Sequence, residues 1–162
     1  MSELLKERVC AEVEGEVVLF LIGMRINRVW KVWKWFPVLA AMPRMLKELA
    51  AHPEFGMVSA RLQLGLRNQT GLQYWKSAER LQAYAHAPAN AHLPAWQAFN
   101  RRIGTGGDVG IWHETYVVPK GHAESVYVNM PRFGLGLAGA LHPAKGERAT
   151  AAKRLAGMKT PV

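Results

Sequence analysis

A single cysteine, Cys10, stands in the 162 residues of the chain. No internal disulfide framework can form, which suits a reducing compartment. Long apolar runs are missing as well. The longest, Val17 to Met24, falls far short of the roughly 20 residues that cross a bilayer. The first residues are polar and charged through Arg8, so they do not resemble a secretory signal, and a cytoplasmic location is expected. There is no Cys-x-x-Cys, no His-Glu-x-x-His and no Gly-x-Ser-x-Gly. Gly104-Thr105-Gly106-Gly107 precedes a strand pattern rather than a helix, so it reads as a turn and not as a phosphate cradle.

What is present suits one globular domain with its own core: 49% hydrophobic and 20% charged residues are ordinary values. The net charge of +9 comes from 21 basic and 12 acidic residues. No nucleic-acid motif accompanies it, so nucleic acid is not expected as a partner and the charge reads as a solvated basic surface. Much of it sits in Lys145, Arg148, Lys153, Arg154 and Lys159.

The pattern divides into an arm over residues 1–15, a domain over 16–137 and a basic tail over 138–162 expected to be mobile. Val17 to Arg25 is a near-continuous apolar strand. A helix is expected over Pro37 to Ala51, with a break near Pro43. Gly56 to Leu66 alternates, with Ser59, Arg61 and Gln63 on one face. Leu72 to Lys76 is an aromatic-rich strand. Ser77 is placed to cap a helix that carries Leu81 and Tyr84 on one side. His92, Trp96, Phe99 and Ile103 form the stripe of another helix. Ile111 to Val118 is a strand, and Ala123 to Asn129 reads as one more. Strand, helix, strand, strand, helix, strand is the split βαβ, or ferredoxin-like, α+β pattern, here with an extra C-terminal strand. Its sheet has one face that no helix covers, and a second subunit can cover it.

Several segments carry a resemblance. Tyr74-Trp75-Lys76-Ser77, the helix with Tyr84, His92 and Trp96-Gln97-Ala98-Phe99 resemble antibiotic-biosynthesis-monooxygenase-type domains of the dimeric α/β-barrel superfamily. Phe20 to Asn27, Gly110 to Tyr116 and Tyr127 to Pro131, reading FLIGMRIN, GIWHETY and YVNMP, resemble a bacterial and fungal family labelled monooxygenase. The resemblance covers about residues 16–137. It implies a homodimer closed into an α/β barrel, and oxidation of a hydrophobic small molecule in an enclosed pocket.

Two mechanisms fit that reading. Without a cofactor, a histidine deprotonates an electron-rich substrate that then reacts with dioxygen. With heme, His113 or His92 ligates the iron, as a helix histidine does in the heme-degrading relatives. His113 shares a strand face with Ile111, Thr115 and Val117, and is favoured slightly over His92 if that face lines the barrel. Arg25 and Asn27 end the first strand, where such relatives hold oxygen or a carbonyl. Arg61, Trp75, Tyr84, Trp96, Tyr127 and Asn129 are the candidate substrate-binding residues. Distant relatives add a heme-dependent, aldoxime-dehydratase-like lyase as an alternative. A non-catalytic module that binds a small molecule, heme or a membrane surface is the other. Trp30, Trp33 and Trp35, interleaved with lysines, suit either a peripheral membrane contact or a lid over the barrel mouth.

Overall fold

The computed structural model describes residues 3–88, 90, 92–102 and 104–155, without the side chains of residues 92, 94, 95 and 102. In chain order the elements are β1 (Val9–Glu12), β2 (Val17–Ile26), α1 (Val32–Ala51), β3 (Met57–Leu64), β4 (Asn68–Trp75), α2 (Ala78–His86), α3 (His92–Arg102), β5 (Val109–Val118), α4 (Leu135–Ala138), β6 (Ala140–Pro143) and α5 (Ala151–Arg154). The main sheet runs β3-β4-β2-β5, with antiparallel pairing throughout. That is the strand order of the ferredoxin-like fold, with the helices on one face.

The apolar run of β2 is central in the sheet, between β4 and β5. Val18, Phe20, Met24 and Ile26 pack towards the helices. Leu19, Leu21, Gly23 and Arg25 alternate onto the other face. The pairing carries this division across the sheet: Val18 opposes Trp75, and Ile22 opposes His113. A register shift between Met57 and Ser59 puts Ser59, Arg61 and Gln63 beside Tyr74, Leu72 and Thr70 on the face away from the helices, as a bulge of one residue does.

The helices form where their caps and stripes allow. Ser77 accepts from the Arg80 amide at 3.3 Å, with Glu79 in the first turn. Leu81 and Tyr84 are the buried pair of α2. In α1, Trp35, Val38, Leu39, Leu46 and Leu49 face the sheet. The expected break at Pro43 does not occur; α1 begins at Val32 and continues through both prolines. Each proline leaves one carbonyl without its helical donor, and packing on the sheet holds the turn together.

The C-terminal part differs from expectation. The segment 123–129 forms no strand; only isolated bridges tie Tyr127 to Val9 and Met130 to Leu5. The extra strand is β6, and it pairs with β1 in a separate two-stranded sheet. The region read as a mobile tail is packed as far as Leu155. Ala144 is buried, Arg148 forks onto Glu12 at 2.6 and 3.1 Å, and Arg154 onto Glu124 at 2.9 and 2.7 Å. Leu135, Ala138 and Leu141 close over Ala11, Val17 and Tyr74. They cover the half of the open sheet face nearest the start of β2. Long-range ion pairs and a four-residue strand leave no periodic trace in the sequence, which is why this packing was not legible there.

Candidate functional site

Between the sheet and the helices lies a small apolar cavity. Phe20, Ile22, Gln73 and Trp75 form its floor; Met42, Met45 and Leu49 of α1 and Leu81, Tyr84 and Ala85 of α2 form its walls. Its volume is about 30 Å³. That is room for little more than water, whereas small-molecule pockets span about 300–1,000 Å³. Met42 and Met45 flank Pro43. Two flexible side chains at a turn that lacks one hydrogen bond make this wall the adaptable one.

The cavity has a small set of polar groups. Trp75, fully buried, donates its indole N–H to Gln73 Oε1 at 3.0 Å. Both residues point the same way because they are two apart on β4. The Gln73 NH₂ remains as a donor beside the cavity. The Tyr84 hydroxyl donates to Glu48 Oε2 at 2.7 Å. Burial and the neighbouring Glu48 carboxylate push the Tyr84 phenol far above its ordinary range. The phenol therefore holds its proton.

The expected site residues separate into three groups. Trp75 and Tyr84 line the cavity. His113 belongs to the same face of the sheet but lies exposed on edge strand β5, its ring 5.8 Å from the Phe20 ring. Trp96 is exposed and stacks on Phe99, centroids 5.6 Å apart. The His92 side chain falls outside the described residues. The second group lies on the opposite side of the sheet. Arg25 bonds Asn27 Oδ1 at 3.2 Å and Asn68 Oδ1 at 3.1 Å, while Asn27 donates to the Gly107 carbonyl at 3.1 Å. They brace a strand end. The third group serves the C-terminal packing. Arg61 sits 4.1 Å over the Phe133 ring, Tyr127 Oη accepts from the Gly136 amide at 3.1 Å, and Asn129 adopts a φ of 54°, a conformation asparagine tolerates. The face opposite the helices, where Arg61 lies, is therefore not the face of His113; the cavity within the single chain lies on the helix side.

Glu48 and Gln73 went unnoticed in the sequence. Gln73 was findable, since strand alternation places it beside Trp75. Glu48 sits in the apolar stripe of α1 between Met45 and Leu49, which hints at a buried partner. That the partner is Tyr84, on another helix, has no local signature.

Asp108 organises the other end of the helix layer. Its carboxylate meets Lys31 at 2.9 and 3.1 Å and Arg28 at 3.0 Å. Its backbone carbonyl accepts from the Asn27 and Arg28 amides. The Lys31 hydrogen bond, and the charges of Lys31, Arg28 and Lys34, hold its pKa below the ordinary 3.8. A carboxylate depressed on folding adds stability that is present above its unfolded pKa and lost as pH falls through the folded one. Asp108→Asn is therefore expected to lower the melting temperature near neutral pH. The gap to the wild type should close on acidification below about pH 4. Melting curves across that range check it; a gap constant with pH would contradict the ion-pair assignment. Among the described residues no three His, Cys, Asp or Glu side chains gather in a way that could hold a metal ion. No described helix is long and apolar enough to cross a membrane.

A ferredoxin-like α+β domain with a cavity between its sheet and its helices is the class that fold and site define. Residues 17–135 match the family described as monooxygenase af470-like, and the chain belongs to that family. It is 27% identical over 133 residues to monooxygenase af470 of Aspergillus fumigatus, covering 76% of this chain and 46% of that protein. Among solved structures, aldoxime dehydratase OxdRE in complex with butyraldoxime shares the fold at a TM-score of 0.70 and 16% identity, over 86% of this chain and 43% of the other. SnoaB, a cofactor-independent oxygenase from Streptomyces nogalater, aligns at 0.45 and 13% identity, over 62% of this chain and 91% of its own. The chain thus spans less than half the length of the curated relative and of the dehydratase.

Proposed function

We propose that this chain is a homodimeric oxygenase that oxidises a hydrophobic, phenol- or enol-bearing small molecule with dioxygen in the cavity between sheet and helices. Family membership supports the reaction class. The observation that carries the site is Tyr84, which lines the apolar cavity with Gln73 and whose hydroxyl donates to Glu48 behind that lining. Helix α1 moves outward at the Met42–Met45 wall to admit the substrate. The Gln73 NH₂ donates to one substrate oxygen. A substrate hydroxyl donates to Tyr84 Oη; as its proton passes to Tyr84, the Tyr84 proton passes to Glu48. The resulting electron-rich anion is oxidised by dioxygen: a carbon–oxygen bond forms, and Glu48 returns the proton to the peroxide. Loss of water then leaves a carbonyl. Overall a methylene and one dioxygen give a carbonyl and one water, so the substrate supplies all the electrons.

A heme finds no ligand among the described side chains of this lining, the His92 side chain lying outside them. The cavity presents no imidazole or thiolate among the described side chains, and Glu48 engages the Tyr84 hydroxyl. No step runs through one. The purified protein is expected to show no Soret band and to consume dioxygen with electron-rich polycyclic phenols. A Soret band, or uptake only after heme is added, would overturn the cofactor-free reading.

The dimer forms through the part of the open sheet face that the C-terminal segment leaves bare. Trp112 lies there across Gly23, where an added Cβ would sit 2.6 Å from the indole Cε2. Tyr116 is exposed beside it, bonded to Glu114 at 2.7 Å. Closing this face against its copy would bury on the order of the 1,200–2,000 Å² of a stable contact. Light scattering at micromolar concentration should return a dimer; a monomer would contradict it.

A further inference from the structure

The outer side of the entrance to α1 carries an apolar patch that the fold does not use. Trp30 and Trp33 are 65% and 67% exposed, and Val29, Val32 and Phe36 are exposed with them. Val32 and Phe36 lie one helical turn apart on α1 with Trp33 beside them, and Val29 and Trp30 stand in the turn just before the helix. The inward stripe begins with Trp35, whose indole donates to the Val29 carbonyl at 2.9 Å and whose ring joins the core with Val38 and Leu39. This segment is thus apolar on two sides. Only one of them meets the sheet.

Cations rim the outer side. Arg28, Lys31 and Lys34 interleave with the aromatics, and Arg67 lies at the adjoining strand end, where the Ile26 amide donates to its carbonyl at 2.8 Å. Arg28 and Lys31 share one carboxylate, Asp108, in their ion pairs. We infer that this patch docks the protein on the surface of an anionic phospholipid bilayer. Tryptophan seats at the headgroup level, Val32 and Phe36 reach below it, and the surplus positive charge meets lipid phosphates and carboxylates. Charge complementarity favours a lipid surface over an uncharged apolar partner. The position on the helix layer leaves the bare sheet face free for a second subunit. Docking places the adaptable α1 wall near the membrane, where hydrophobic substrates dissolve.

The test uses the full chain with vesicles of phosphatidylcholine alone and of phosphatidylcholine mixed with phosphatidylserine. Co-sedimentation and a blue shift of tryptophan emission are expected with the mixed vesicles, weakening as salt rises. The double variant Trp30→Ser, Trp33→Ser should lose roughly tenfold or more of this partitioning, with its melting temperature and scattering mass unchanged. Four results overturn the inference: no binding of the wild type to mixed vesicles, equal binding to both vesicle types, undiminished binding of the variant, or a variant whose oligomeric state changes. The last would assign the patch to contact between copies of this chain.

Discussion

Glu48→Gln is expected to lower oxygen uptake by roughly 10²–10⁴-fold, the contribution of a positioned general base. The replacement is isosteric and its amide oxygen still accepts the Tyr84 hydrogen bond, so the melting temperature should move little. What it loses is the capacity to take a proton. Tyr84→Phe should fall by a similar factor, because it removes the atom through which the proton passes while keeping the ring against Trp75 and Phe55. The double variant should be no worse than either single one, since the two act as a unit. His113→Ala and His92→Ala are the informative controls. If either histidine variant loses activity and Glu48→Gln does not, the base is a histidine and the relay is wrong.

Trp75→Ala should be the most destabilising core substitution, at about 3–5 kcal/mol. The side chain is fully buried at the contact of β4, α1 and α2. Its loss also leaves the Gln73 carbonyl without its donor, and a buried acceptor without a partner is costly. For a chain of this size each kcal/mol is worth about 2–4 °C in Tm, so a drop on the order of 10 °C is expected by calorimetry. Trp112→Ala, on the bare sheet face, should leave the melting temperature of an isolated subunit nearly unaltered. A drop of less than a few degrees for Trp75→Ala would mean that the layer between sheet and helices is looser than its packing indicates.

The periods of β2 to β5, α2 and α3 were legible, and so was the strand order that follows from them. Ser77, Leu81 and Tyr84 occupy the roles their spacing implies, and Trp75 lines the cavity. What alternation cannot say is which face of a strand the helices cover. His113 and Trp112 were correctly placed on opposite faces. Only the pairing of Ile22 with His113 and of Val18 with Trp75, together with α2 over Trp75, assigns His113 to the helix side. Glu48 was invisible as a partner of Tyr84 because 36 residues and a whole β-hairpin separate them. The same holds for Arg148 and Glu12, whose contact turns an expected tail into part of the fold.

The central claim is that this chain inserts an atom of dioxygen into an apolar substrate using only its own side chains. Turnover of an electron-rich polycyclic phenol by the cofactor-free protein under isotopically heavy dioxygen, read by mass spectrometry, tests it directly. The account predicts one heavy oxygen in each product molecule, with labelling rate falling in Glu48→Gln. Product that carries oxygen from water alone, or no product until a cofactor is supplied, would contradict it.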